Sequence, residues 1–347
     1  MGRLFGPGLG GLTVQSVRIR LPFMYTCPLH RAALSRNGDL AQCEACAQPY
    51  LIEDDIWILD AVRRPDRTAF DEQVETGPIP LDLSKAERHL EQAGIDRLEG
   101  ASILDIGCGL GDLTYGLASS PRIRNCNIYA FDHSIGSVRR AAAAAKPQHE
   151  NRVHFSTQDA ACLFFPDEAF DLITGSALLH HILDYRGLLR EVLRLLRPGG
   201  RAIFAEPFLE GYFWVCFLLQ CAMRGLGLTD LKQPRFGLCQ FVLENTAYRV
   251  RNAGNPALLD ELTDKHYFTV EGLVKTGLDL GFREVRFADY AEPAFYDNWM
   301  AHFLDVYSVT DTGLRKRAIQ YYSELREYAG PALPGLVSHF KFIVLKK

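Results

Sequence analysis

Residues 103–114 read Ile-Leu-Asp-Ile-Gly-Cys-Gly-Leu-Gly-Asp-Leu-Thr, an apolar strand pattern running into glycines 107, 109 and 111 and then into a helical pattern. Without a β-carbon, Gly107, Gly109 and Gly111 let the chain turn sharply and come close to a ligand. The spacing is G-x-G-x-G, not the G-x-G-x-x-G of dinucleotide loops. Asp105 stands two residues before the first glycine, where a carboxylate at a strand end can meet a cationic ligand. The pattern favours an adenosyl amino acid over a pyrophosphate.

Reading outward, Asn127-Ile-Tyr-Ala-Phe-Asp132 is a second strand ending in an acid about 20 residues past the glycines, the usual place of a ribose-binding carboxylate. A third strand, Val153-His-Phe-Ser, precedes Gln158-Asp159-Ala160, and Asp159 is placed to accept from an adenine amino group. Phe170-Asp-Leu-Ile-Thr174 reads as a fourth strand, and Arg197-Pro-Gly-Gly-Arg-Ala-Ile-Phe-Ala-Glu206 as a helix stop, a turn and a fifth strand. Alternating strand and helix signals predict a doubly wound, mostly parallel α/β sheet with its ligand crevice at the strands' carboxyl ends.

From about residue 80 to 290 the chain resembles the class I S-adenosylmethionine-dependent methyltransferases, in particular their small-molecule branch. The likeness rests on LDIGCGLG, the acid of YAFD, the QDA turn, FDLITGSALLHHILD and LRPGGRAIFAEP, in the family's order. Tyr267-Phe-Thr-Val-Glu-Gly-Leu, Leu280-Gly-Phe-Arg-Glu-Val and Phe340-Lys-Phe-Ile-Val-Leu345 resemble the later helix, the sixth strand and the antiparallel seventh. The resemblance implies a seven-stranded Rossmann-like sheet. It assigns Asp105, Gly107 and Gly109 to the methionine side of the cofactor, Asp132 to the ribose, Asp159 and Ala160 to the adenine, and Ser176 to the neighbourhood of the sulfonium, with Gly111 and His133 counted among the cofactor-binding residues. S-adenosylmethionine is the expected methyl donor and S-adenosylhomocysteine the product.

Upstream, CPLHRAALSRNGDLAQCEAC (27–46) sets Cys27 and His30 across one short turn and Cys43 and Cys46 across another. Cys-x2-His, twelve residues, Cys-x2-Cys is the spacing of two zinc knuckles. Asn37-Gly38-Asp39 has hairpin chemistry, and Tyr50-Leu51-Ile52 and Ile56-Trp57-Ile58-Leu59 supply strands to pack on it. Four protein ligands close the coordination shell and leave no position for an activated water, so a structural Zn2+ in a zinc ribbon is expected.

The 347 residues suit one large domain with additions, and 48% hydrophobic with 23% charged residues is a globular composition. A formal charge of −4 gives no general attraction to nucleic acid. Nine cysteines without a secretory pattern point to reduced thiols or metal ligands, hence to the cytoplasm. The longest apolar run, Tyr212 to Met223, is interrupted by Gln220 and is well short of the ~20 residues of a transmembrane helix.

The expected organisation is a flexible lead-in (1–23), a zinc-ribbon-like domain (24–62), a linker with N-terminal helices (63–99) and the methyltransferase domain (100–347). Aromatic-rich helical insertions at about 207–266 and 292–334 are expected either to cap an acceptor pocket, with Phe213, Trp214 and Phe217 lining it, or to pack on the core or form a homodimer. His180 and His181 follow the fourth strand, where an imidazole can take an acceptor proton; a packing or helix-capping role is the competing reading. Glu206, at the end of the fifth strand, either binds substrate or anchors a loop, and Asp184 and Tyr115 are weaker candidates.

The leading functional reading is methyl transfer to O, N or C of a small, partly apolar acceptor. A ribosomal-RNA guanine methyltransferase with the ribbon contacting RNA ranks second, disfavoured by the acidic charge and the absence of a basic stripe. A non-catalytic cofactor-binding scaffold ranks third.

Overall fold

The computed structural model describes residues 25–59, 83–144 and 148–347; the expected lead-in 1–23 and most of the expected linker lie outside the described residues. Strands β1 (Leu34–Asn37), β2 (Leu40–Cys43), β3 (Pro49–Glu53) and β4 (Ile56–Ile58) form an antiparallel meander. The first hairpin turns through Gly38 at φ +64°, as the Asn-Gly-Asp sequence predicts.

Seven strands make up the catalytic sheet: β6 (Ser102–Ile106), β8 (Asn127–Asp132), β9 (Arg152–Thr157), β10 (Phe170–Ser176), β11 (Leu196–Pro207), β12 (Glu284–Asp289) and β13 (Phe340–Lys346). Their order is β9-β8-β6-β10-β11-β13-β12, with β13 antiparallel to both neighbours. The sheet does not stop at seven, however. Strand β4 pairs parallel with β9, matching Trp57 to Ser156 and Ile58 to Thr157, so that the ribbon strands continue one eleven-stranded sheet. A separate two-stranded sheet joins β5 (Leu98–Glu99) to β7 (Ile123–Arg124).

The ribbon is also continuous with the catalytic core. Tyr25 lies 4.8 Å from Trp57 and 5.3 Å from Phe165, ring to ring, and the Thr26 N–H donates to the Phe164 carbonyl at 2.8 Å. Tyr25, Ile52, Trp57 and Leu59 belong to the same buried cluster as Leu104, Tyr129 and Phe170. Each such side chain contributes about 1.5–3 kcal/mol when fully buried.

Helices α1 (Leu83–Gln92), α2 (Asp112–Ser119), α3 (Ile135–Ala144) and α4 (Tyr185–Leu195) accompany the first strands, followed by α5 (Leu209–Gly225), α6 (Cys239–Asn252), α7 (Pro256–Asp260), α8 (Val270–Leu280), α9 (Trp299–Val306), α10 (Thr312–Ala329) and α11 (Leu333–Val337). Local sequence explains their limits. In α4, Asp184 caps the N-terminus by accepting from Gly187 N–H, and Leu188, Leu189, Val192 and Leu195 form the buried face. Thr269 caps α8 in the same way, and Gly281 ends it in the left-handed conformation.

The two insertions pack on each other. Val215, Leu218, Leu219 and Ala222 of α5 join Trp299, Phe303, Leu314, Ala318 and Tyr322 in a second buried cluster, with Trp299 stacked 5.2 Å from Tyr322. That aliphatic face of α5 turns Phe213 and Phe217 outward, 55% and 47% exposed, and Trp214 and Phe217 line a cleft of about 510 Å³ with Cys221, Arg224 and Tyr321 that does not include Ser176. Gly211, near the start of α5, lies so close to the chain entering β13 that a Cβ would stand 2.3 Å from the His339 Cα.

Candidate active site

The glycine loop leaves β6 with Gly107, Gly109 and Gly111 at φ +66°, +52° and +84°. A Cβ at Gly107 would lie 2.7 Å from Leu178, whereas one at Gly109 meets nothing within 4 Å, leaving that face of the loop open. Asp132, at the end of β8, accepts from Gly109 N–H at 3.0 Å and from Ser134 N–H at 2.9 Å, with the His133 ring nitrogen 3.2 Å away. Burial alone would raise its pKa, but His133 and the two N–H groups outweigh it, and the carboxyl sits below its ordinary range.

Asp105 is placed differently from the expectation of a carboxylate reaching a ligand. It is 1% exposed and accepts from Thr114 Oγ1 at 2.6 Å and Thr174 Oγ1 at 3.1 Å, bracing the loop from beneath. Burial pushes its pKa up to about 7 against those hydroxyls. Asp159 caps its own turn through Ala161 N–H at 2.9 Å beside buried Ala160, and the buried Gln158 side-chain Oε1 accepts from Phe164 N–H.

Ser176 ends β10 and lines a cavity of about 540 Å³ with Arg88, Tyr290, Phe295, His302 and His339. These residues come from α1, the carboxyl ends of β10 and β12, the entry to β13 and the second insertion. Burial pushes the His339 pKa down to about 4, so the ring is neutral near pH 7.

Beyond β10, His180 and His181 stand with ring centroids 3.9 Å apart. Glu206 is fully buried. Its carboxylate accepts from Leu178 N–H at 2.9 Å, Leu179 N–H at 2.8 Å and His180 N–H at 3.3 Å, and lies 2.7 Å from His180 Nδ1. Both Glu206 oxygens are thus engaged by the His-His turn. His180 Nε2 faces Asp264 at 3.7 Å, and His181 Nδ1 lies 3.0 Å from the Thr263 carbonyl and 3.5 Å from Asp264. Donor atoms of His180, His181 and Asp264 all lie within 4.8 Å of one another. Arg249 already provides Asp264 with a counter-charge at 3.2 Å. Burial, then the His180 charge, holds the His181 pKa below the ordinary imidazole value. Of the weaker candidates, Asp184 caps α4, and the buried Tyr115 hydroxyl donates to the Ala141 carbonyl.

Cys27, His30, Cys43 and Cys46 converge in the ribbon, all four donor atoms within 4.8 Å of one another. Cys27 Sγ lies 3.5 Å from His30 Nδ1 and 3.8 Å from Cys46 Sγ, and Cys43 Sγ lies 3.8 Å from His30 Nδ1. Tetrahedral zinc with its usual Zn–S and Zn–N bond lengths requires edges of about 3.8 and 3.6 Å, so the donor set fits. The Cys46 backbone N–H leads in drawing the Cys43 thiol down to about 7, which favours a thiolate ligand.

Sequence reading missed Arg88, Asp264, Tyr290 and His339. Only Asp264, in the polar run Asp264-Lys265-His266, carried a local signal; the Lys265 and His266 N–H groups donate to the His180 carbonyl at 2.7 and 3.2 Å.

Residues 103–200 match the family described as Methyltransferase domain. Demethylmenaquinone methyltransferase of Lactococcus lactis is 34% identical over 109 residues, 31% of this chain and 43% of that protein. The 27-O-demethylrifamycin SV methyltransferase of Amycolatopsis mediterranei is 34% identical over 107 residues, 31% and 39% of the two chains. The chain thus spans about two fifths of the length of these curated relatives. Among solved structures, Haemonchus contortus phosphoethanolamine N-methyltransferase 2 in complex with S-adenosyl-L-methionine is similar at 15% identity and a TM-score of 0.46, covering 80% of this chain and 56% of that one. The glycine loop and the acid of β8 both lie inside residues 103–200, the stretch that is similar to the Methyltransferase domain family.

Proposed function

We propose that the protein transfers the methyl group of S-adenosylmethionine to an oxygen, nitrogen or carbon atom of a small, partly apolar acceptor. The observation that carries this reading is the largely aromatic cavity lined by Ser176, at the carboxyl ends of β10 and β12. The two relatives compared above are named for small-molecule acceptors, which supports the same class. Bound cofactor supplies an electrophilic methyl group on a sulfonium. In this reading Asp132 holds the ribose, Asp159 and Ala160 face the adenine, and Ser176 orients the reacting centre. Proximity and orientation then provide most of the acceleration.

His181, the more exposed imidazole, takes a proton where the acceptor atom carries one, while His180 and Glu206 position the turn. In the ribbon, Cys27, His30, Cys43 and Cys46 hold a structural Zn2+ with no role in the transfer. The test is methyl transfer from radiolabelled cofactor to hydrophobic small-molecule extracts and, in parallel, to ribosomal RNA. Label in the extract is expected. Specific label in RNA, or tight NAD binding with no affinity for the adenosyl cofactor, would overturn the proposal.

A further inference from the structure

Arg88 projects from α1 into the cavity that Ser176 lines. Its guanidinium carbon lies 4.7 Å above the centre of the Tyr290 ring. Among the described residues its Nε is buried without a hydrogen-bond partner, and no carboxylate forms an ion pair with it. Of the nearby acids, Asp289 pairs with Lys341 at 2.9 Å, and Glu292, itself a lining residue of the cavity, is exposed and forms no ion pair with Arg88. The walls are largely aromatic, with Tyr290, Phe295, Tyr296 and Phe340 around Arg88, the one permanent cation among the described lining residues.

An arginine in a cavity with an unused buried N–H carries a desolvation penalty that a bound anion removes, and its planar fork suits a carboxylate or a comparable oxyanion. We propose that the acceptor is an anion: a conjugated, partly apolar molecule whose carboxylate or acidic oxygen pairs with Arg88 while its body lies against Phe295 and Phe340. The proposal rests on reading this cavity as the acceptor site. It narrows the substrate from apolar molecules in general to aromatic or polyene acids and their acidic phenol or enol equivalents. Arg88 is then a specificity determinant that orients the acceptor, not a group that handles the transferred methyl.

The test uses two fluorescent probes on the full chain with S-adenosylhomocysteine present. One is 8-anilino-1-naphthalenesulfonate, an aromatic anion; the other is N-phenyl-1-naphthylamine, the same ring system without the charge. Arg88→Gln should weaken the sulfonate roughly tenfold or more and leave the neutral probe within about twofold. Arg88→Lys, which keeps the charge and loses the fork, should give an intermediate loss for the sulfonate alone. Equal losses for both probes, or an unchanged sulfonate affinity, would overturn the proposal. So would a loss of S-adenosylmethionine affinity in Arg88→Gln with 5′-methylthioadenosine affinity unchanged, because Arg88 would then belong to the cofactor's own carboxylate. If wild-type protein binds no S-adenosylhomocysteine but still shows the Arg88-dependent split between the probes, the methyl-transfer reading fails and the anion site stands.

Discussion

Gly109 donates its N–H to the Asp132 carboxylate at 3.0 Å, tying the glycine loop after β6 to the acid that ends β8. One carboxylate therefore fixes the loop and faces the proposed ribose position. Asp132→Ala should weaken S-adenosylhomocysteine binding by roughly ten- to a hundredfold, the range for losing charge-assisted hydrogen bonds. Calorimetry against Gly109→Ala, which disturbs the same loop through its positive φ, separates loss of the acid from loss of loop shape.

That acid also makes a pH prediction. Its folded pKa is depressed, so its stabilisation is complete above the unfolded carboxyl value near ~3.9 and is lost as pH falls through the lower folded value. Asp132→Asn should remove this contribution, and the stability curves of the two proteins should converge toward the lowest pH reached in denaturant titrations.

His89 acts in a different window. It is fully buried with its ring edge-on to Phe342, and burial pushes its pKa down to about 4. An unfolded chain takes up that proton near ~6.5, so stability should be complete above ~6.5 and fall as pH drops toward 4. The contribution is about 3 kcal/mol at one pKa unit per 1.36 kcal/mol. His89→Phe should flatten urea midpoints across that window; an unchanged slope there refutes the assignment.

Removing the ribbon ligands should damage more than the ribbon. Cys43→Ser with Cys46→Ser should lower bound zinc from about one per chain to none by elemental analysis. Because Tyr25, Trp57 and Leu59 share a core with Tyr129 and Phe170, the whole catalytic unit should melt several degrees lower in a single transition. A separate early ribbon transition, with the main one unmoved, would contradict the shared core.

Glu206→Gln should cost both stability and activity, since one buried carboxylate anchors Leu178, Leu179 and His180. A loss of 2–3 kcal/mol or more is expected for breaking such a network. His181→Asn should instead leave stability within about 0.5 kcal/mol and lower kcat for a protonated acceptor. Denaturation and kinetics on the two variants separate the roles: Glu206→Gln moves both readouts, His181→Asn the kinetics alone.

The parts visible in sequence were those written in contiguous stretches. The glycine loop, the acids at the ends of β8 and β9 and the knuckles around Cys27 and Cys43 each depend on residues within a dozen of one another. Other features depend on distant packing. Arg88 meets Tyr290 across about 200 residues of chain, and neither position carries a local signature. On α5 the aromatic residues are conspicuous in sequence, but Val215, Leu218, Leu219 and Ala222 make the buried stripe and leave Phe213 and Phe217 on the exposed side. Nor does any periodicity announce that Trp57 will pair with Ser156, because a strand does not encode which edge it joins.

That junction between β4 and β9 bears on how the chain folds and stays apart from its neighbours. In the seven-stranded arrangement alone β9 would be an outer strand, with unpaired N–H and C=O groups available to another chain. The meander covers that edge from a position nearly a hundred residues earlier in the sequence, a contact of high sequence separation that is costly to close. Synthesis delivers the cover before the strand it protects. A chain shortened to begin after β4 would expose this edge along with Phe155 and Phe165 nearby, and self-association during refolding is the consequence to watch for.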